Sequence, residues 1–547
     1  METKYIFITG GVTSSLGKGI ISASLGILLK SRGYRVTILK LDPYFNVDSG
    51  TMNPYEHGEC FVTKDGAETD LDLGHYERFL NQETTKRNNV TSGLIYKTVL
   101  QNERKGKYLG KTVQVIPHIT DEIKRRIKIL GESGNYDIII TEIGGTVGDI
   151  EVLPYIESVR QLKWELGKFN GLSIHLTLLP YISVTGEIKT KPTQHSVRKL
   201  MENGIQSDII VCRTKKHISQ EIKKKIALFC NVQINNVIES IDTKIIYEIP
   251  YLLNQQQFDN LVLTYLKLKT IVHPNLRKWN FFIKKYKNPK YEITIALVGK
   301  YVSLHDSYKS IEEALIHGGT TNNILVHIKW VDSGLIRENN VKNIFYGISG
   351  ILIAPGFGNR GIEGKILATK YARENKIPFF GICLGMQIAI IEFSRNVLGI
   401  ETAESHETNQ NAFHPVISLM ESQKKIIHKG GTMRLGNWKC IFKENSKIFS
   451  IYGGLKEIFE RHRHRYEFNN NYLEYFSNTE MEFVGINPDT GLVEAIELKG
   501  NDFFLGVQYH PEYNSSIINP HPLFVSFVKV SNDYNNQSFE KKKTSFV

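Results

Sequence analysis

Two stretches of this sequence carry residue types and spacings that could do chemistry. The first is Gly10-Gly11-Val12-Thr13-Ser14-Ser15-Leu16-Gly17-Lys18-Gly19-Ile20. Its glycines let backbone N–H groups approach phosphate oxygens, a following helix start adds a positive dipole end, and Lys18 adds a point charge. The spacing departs from the ordinary P-loop. Five residues separate Gly11 from Gly17, and Gly19 stands where a Ser or Thr normally holds magnesium. Acidic side chains elsewhere must then hold the metal. Asp72, in Asp70-Leu71-Asp72-Leu73-Gly74, and Glu142, directly after the apolar run 136–141, are the expected Mg2+ pair. A carboxylate at the C-terminal end of a strand, facing a phosphate loop, is where α/β nucleotide enzymes hold that ion. Lys189-Thr190-Lys191-Pro192-Thr193-Gln194-His195 gathers cations and hydroxyls that could grip a second triphosphate.

The second stretch is Gly381-Ile382-Cys383-Leu384-Gly385-Met386-Gln387. Gly-x-Cys-x-Gly between a strand and a helix is the cysteine form of a nucleophile elbow: the tight turn exposes the sulfur and the helix N-terminus favours the thiolate that attacks a carbonyl. Downstream, Gln508-Tyr509-His510-Pro511-Glu512 offers His510 as general base and Glu512 to orient its imidazole. Pro355-Gly356-Phe357-Gly358 offers backbone N–H groups for an oxyanion hole. The run Arg461-His462-Arg463-His464-Arg465 fits a carboxylate or phosphate site and an exposed charged strand equally well.

Both stretches need strands that end at them and helices that begin at them. Apolar runs at 5–9, 35–41, 136–141, 172–179 and 209–212 alternate with helical patterns, including one over 22–30. This predicts an α/β domain with a mainly parallel sheet over 1–268. Residues 269–289, with His273-Pro274-Asn275 and a lysine-rich run, read as a linker. A second α/β domain is expected over 290–532, with strands at 291–299, 351–354, 378–381 and 505–507, and residues 533–547 as a flexible tail.

The chain has 547 residues, too many for one core. Its hydrophobic content of 41% and charged content of 23% are those of a soluble globular protein. No apolar run approaches the roughly 20 residues of a membrane span, and 5–9 is too short for a signal-peptide core, so a cytoplasmic location is expected. The five scattered cysteines lack CxxC spacing, which fits a reducing compartment and argues against zinc. The net charge of +12 reads as surface lysine, because no basic helix or aromatic-basic stripe stands out, and no nucleic-acid partner is expected.

Taken together, the two constellations resemble the CTP synthase family, from about Lys4 to Val530. Besides the phosphate loop, the matching stretches are Lys40 to Tyr44, Gly66 to Arg78, Lys189 to Gln194, Gly299 to Tyr301, Gly381 to Gln387, Gly430 to Gly436, Arg461 to Glu467 and His510 to Glu512. The resemblance implies an N-terminal P-loop-type amidoligase domain joined to a class I glutamine amidotransferase domain. It implies that ATP phosphorylates the 4-oxygen of UTP and that ammonia then displaces phosphate. By the family's pattern, Ser15, Leu16, Gly17, Lys18, Gly19 and Ile20 hold ATP phosphates, with Asp72 beside them and Asp242 near the adenine. Ser14, Asp149, Ile150, Glu151, Lys189, Thr190, Lys191, Pro192, Thr193, Gln194 and Lys225 match positions that hold UTP, or CTP as feedback inhibitor. Cys383, His510 and Glu512 match the triad that takes ammonia from L-glutamine. Gly356, Leu384, Gly385, Met386, Gln387, Glu407 and Arg465 match glutamine-binding positions. Activation by GTP, an internal ammonia tunnel, a homotetramer with UTP sites at subunit contacts, and filaments in some relatives are implied as well.

This chain departs from the family pattern at three places. Thr13 stands where an aliphatic residue is usual, Ala354-Pro355-Gly356 replaces a common Pro-Gly-Gly, and Cys60 takes a position that is commonly aliphatic. The main alternative is a P-loop partition-type ATPase that binds nucleic acid; it leaves Cys383, His510 and Glu512 without a task. A filament protein without catalysis and a plain glutaminase are the others.

Overall fold

The computed structural model describes residues 2–270, 272–420, 423 and 430–544, with side chains to 537. It divides into two compact units. The first comprises Met1–Ser49 and Asp72–Trp279, the second Gly50–Leu71 and Asn280–Val547.

The first unit is built on a seven-stranded, all-parallel sheet. Its spatial order is Val237–Ile241, Ile209–Thr214, Gly171–Leu179, Lys4–Gly10, Ile138–Ile143, Val36–Asp42 and Asn89–Thr91. Nearly every residue of the central strands is buried, as a parallel sheet covered on both faces requires. The first strand feeds the phosphate loop, and helix Lys18–Ser31 starts at its lysine. Strand Ile138–Ile143 lies two residues further along the chain than the sequence predicts and takes in Glu142, so this carboxylate projects from the strand itself.

The second unit carries a nine-stranded mixed sheet. The order is Ile324–Asp332, Tyr291–Gly299, Gly350–Ile353, Phe379–Ile382, Phe504–Val507, Val493–Leu498, Met481–Ile486, Arg434–Phe442 and Glu457–His464. The first five are parallel and the rest antiparallel. Helix Leu384–Asn396 packs on this sheet with its first eleven residues buried, which fixes the elbow at its start.

Three expected boundaries differ. Residues 50–71, expected in the first domain, belong to the second unit. Glu59 accepts the backbone N–H of Ser310 at 2.9 Å, and Glu68 pairs with Arg463 at 2.8 Å. Within the expected linker, residues 277–287 form helix Arg277–Lys287, which buries Trp279 and Phe282. Residue 271 of that stretch lies outside the described residues. Helix Pro522–Thr544, with Phe524, Phe527, Ser531 and Asn532 buried, crosses the expected boundary at 532 and continues to 544. Residues 545–547 lie outside the described residues.

Candidate functional sites

In the phosphate loop the backbone is left-handed at Val12 (φ 81°), Ser15 (φ 53°) and Gly17 (φ 94°). Such values strain a β-branched residue and are kept where the surroundings impose them. Helix Lys18–Ser31 has no side-chain cap, so its first N–H groups remain available to an anion. Lys18 Nζ donates to Gly145 O at 2.7 Å, and the Val147 N–H donates to Gly10 O at 2.8 Å. These bonds fasten the loop that leads to Asp149, Ile150 and Glu151 against the phosphate loop.

The two expected metal carboxylates do converge. Lys40 Nζ bonds Asp72 directly and reaches Glu142 Oε1 at 3.0 Å, with Asp42 Oδ1 at 3.9 Å. Tyr76 donates its hydroxyl to the other oxygen of Glu142. Burial pushes the Glu142 carboxyl up, against the pull of Lys40. For Asp72, burial pushes the same way but Lys40, His75 and Lys18 outweigh it and hold the carboxyl down. A cation already sits between these oxygens, which is the charge a divalent ion would supply. Among the described residues no group of three or more His, Cys, Asp or Glu forms a self-sufficient metal cage. Two carboxylates completed by nucleotide phosphates is the usual arrangement for magnesium, so the donor set fits.

A cavity of about 340 Å³ opens beside the loop, lined by Ser15, Leu16, Leu179, Tyr181, Arg213 and Asp242 among others. Arg213 spans it, donating to Asp242 Oδ1 at 2.8 Å and to Ser15 O at 3.0 Å. Lys189 follows the short strand Glu187–Ile188 and pairs with Glu187, and Lys191 opens helix Lys191–Glu202. Thr193 and Gln194 are buried and hold that helix in place: Thr193 donates to Leu178 O, and Gln194 to Thr190 Oγ1, each at 3.1 Å. Ser14, Asp149, Ile150, Glu151 and Lys225 are exposed, Lys225 on helix Gln220–Cys230.

At the second site Cys383 has φ 53° and ψ −103°, the strained turn of a nucleophile elbow. Its N–H donates to Val507 O at 2.7 Å, and Gln508 Nε2 lies 3.6 Å from its sulfur. His510 Nδ1 hydrogen-bonds Glu512 Oε1 at 2.7 Å, with both residues buried. Burial pulls the imidazole down, but Glu512 and the Cys383 sulfur outweigh it and hold it up at about 10.

Gly356 lies beside Leu384, the residue that follows the cysteine. Glu407 accepts the Gly358 N–H at 2.6 Å, so this N–H is not free for an oxyanion hole as the sequence predicts. Lys300 donates to the carbonyls of Phe357 and Gly358, and Lys365 to Ala354 O at 2.6 Å. Arg465 reaches Gln423 Oε1 at 2.5 Å and Thr432 Oγ1 at 3.0 Å, and Gln387 donates to Tyr466 O at 2.8 Å.

The run 461–465 is no exposed strand. Arg461, His462 and His464 are buried, Arg461 donates to Val62 O at 3.1 Å and Arg463 pairs with Glu68. Sequence reasoning gave no role to Lys40, Tyr76, Arg213, Lys300 or Lys365. Lys40 had a signal, since it stands near the C-terminal end of strand Val36–Asp42 where the other ligand-facing groups were sought.

Comparison with known proteins decides the family. A model described as CTP synthase N-terminus matches residues 4–268, and one described as glutamine amidotransferase class-I matches 303–530. A CTP synthase from Flavobacterium psychrophilum is 61% identical across 98% of this chain and 100% of its own length. The chain belongs to the CTP synthase family. A CTP synthase from Christiangramia forsetii is 60% identical across 97% of each chain. A solved glutaminase domain of a Trypanosoma brucei CTPS, with bound acivicin, is 35% identical; it covers 44% of this chain and 94% of that one, at a TM-score of 0.42. CTP synthase membership gives both constellations a task, which the partition-type ATPase reading does not. Among the described residues no helix is long and apolar enough to cross a membrane.

Proposed function

We propose that this protein aminates UTP to CTP at the expense of ATP, with ammonia released from L-glutamine in its second unit. The observation that carries the reading is a near-full-length identity of 61% with a CTP synthase, in a chain that keeps a phosphate loop with its carboxylate pair and a Cys-His-Glu arrangement.

In the first unit, the loop N–H groups from Ser15 to Ile20 and Lys18 hold the ATP phosphates, and Asp242 lies toward the adenine, in the cavity that Arg213 spans. Asp72 and Glu142 would hold magnesium, which when bound offsets the charge of the crowded phosphates. Lys40, between these carboxylates, supplies positive charge at the same place. Ser14, Asp149 to Glu151, Lys189 to Gln194 and Lys225 receive UTP or, as inhibitor, CTP. Transfer of the γ-phosphoryl group to the uracil 4-oxygen makes it a good leaving group. Ammonia then bonds to that carbon and phosphate departs.

In the second unit, the Cys383 sulfur attacks the glutamine amide carbon. Gly356 and Leu384 offer N–H groups to the oxyanion, while Gln387, Glu407 and Arg465 belong to the glutamine pocket with Gly385 and Met386. His510 gives its proton to the departing ammonia and then takes one from the water that hydrolyses the thioester to glutamate. Glu512 keeps the imidazolium oriented throughout. GTP as activator, a homotetramer and a cytoplasmic location complete the proposal.

The test is CTP formation from UTP and ATP with magnesium, comparing glutamine plus GTP with ammonium, in wild type and Cys383→Ala. Wild type should use both nitrogen sources and the variant only ammonium. No CTP from either source in wild type would sink the reading. Glutamine use by the variant would remove Cys383 from its role.

A further inference from the structure

His175 has no part in either reaction above, yet it is fully buried on strand Gly171–Leu179, between the end of strand Lys4–Gly10 and helix Lys191–Glu202. Its ring is bonded on both sides. Nδ1 shares a hydrogen bond with Thr9 Oγ1, and Nε2 with Ser196 Oγ, each at 2.8 Å. Thr9 is the last residue before the glycines of the phosphate loop. Ser196 lies on helix Lys191–Glu202, whose first turn belongs to the lysine-rich loop. Gly11 is pressed into the same junction: a Cβ there would fall on Ser196 Oγ and within 3.3 Å of His175 Nε2. Burial, and then the charge of Lys18, hold the imidazole down at about 3. The ring is therefore neutral at any working pH, with one donor and one acceptor. Three apolar side chains could pack this junction about as stably. What the Thr9–His175–Ser196 chain adds is direction, because it fixes the rotation of the helix against the phosphate loop.

We propose that His175 is a positioning residue that couples the two nucleotide subsites, so that a nucleotide on the phosphate loop orders the lysine-rich helix for the second nucleotide, and the reverse. The inference rests on the assignment of ATP and UTP to these loops. Such coupling is reciprocal, with factors of roughly 5 to 150.

The test uses the full-length protein and ammonium as nitrogen source. The KM for UTP is measured at limiting and saturating ATP, with glutamine hydrolysis and the unfolding midpoint as controls. In wild type, saturating ATP should lower the KM for UTP about fivefold or more. His175→Asn, whose amide reaches Thr9 but not Ser196, should lose that dependence while keeping glutamine hydrolysis. Ser196→Ala, a milder change, should lose it too. His175→Gln, which reaches toward Ser196, should restore part of it. If the dependence survives in His175→Asn and Ser196→Ala, or is missing from wild type, coupling through His175 is overturned. A wild type that makes no CTP from ammonium would instead overturn the nucleotide assignment itself.

Discussion

The carboxylate of Asp72 fills the space that a side chain on Gly19 would take. This explains the departure from the ordinary P-loop: the position that usually carries a hydroxyl is left bare so that a carboxylate from another helix can enter. Gly19→Ser should push Asp72 away from Lys40 and Glu142. Ammonia-dependent CTP formation should fall about a hundredfold, the scale of an ångström-sized misplacement of catalytic groups, while glutamine hydrolysis stays within about twofold. Initial rates of both reactions check this, and an unchanged synthesis rate would refute it.

Glu512 and Cys383 outweigh burial at His510 and raise its imidazole to about 10. The folded value lies above the ordinary one of about 6.5. The stabilisation is therefore complete below about pH 6.5 and is lost as pH rises through about 10. Glu512→Gln removes most of it. The gap between wild-type and variant unfolding midpoints should be widest at pH 6 and close toward pH 10. Thermal scans at several pH values measure it, and a gap that widens with pH contradicts the assignment.

Lys365 is buried with its ammonium on Ala354 O, next to the Pro355-Gly356 turn. Burial, and then the nearby charge of Lys300, push that ammonium well down. A buried amine whose charged form is already disfavoured gives up little stability when an apolar side chain of similar length replaces it. Lys365→Met should therefore leave the unfolding midpoint within a few degrees. Glutamine turnover should drop about tenfold, as Gly356 loses its fixed position beside Leu384. Ammonia-dependent synthesis should not change. Equal loss of both activities would show a folding defect instead.

Arg32 and Asp259 form a buried ion pair at 2.5 Å, and Arg32 also donates to Val272 O at 2.6 Å. Arg32→Ala leaves Asp259 buried without its cation, at a cost of about 3–5 kcal/mol. Denaturant titration should show the loss in the first unit's transition. A cost under about 1 kcal/mol would mean that Asp259 finds another partner.

The layered α/β architecture was legible because buried parallel strands write themselves as short apolar runs, most of which fall within two residues of the observed strands. The elbow and the phosphate loop were legible because their glycines and chemical groups lie close together in the chain. What could not be read was pairing at long range. Lys40 meets Asp72 and Glu142, 32 and 102 residues away, and no local spacing announces that. The run 461–465 stayed ambiguous because its counter-charge, Glu68, lies 395 residues back. The Gly358 N–H looked available for the same reason, since Glu407 comes from a separate loop.

The backbone passes between the two units at residues 49–50, 71–72 and 279–280. No single cut can therefore separate them cleanly. A protease nick at 279–280 would leave the Gly50–Leu71 hairpin with the wrong fragment. A glutaminase excised as residues 280–547 would lose Glu59 and Glu68, leaving Arg463 without its carboxylate and the Ser310 N–H without its acceptor. An insertion at either end of residues 50–71 would lengthen a tether rather than a surface loop.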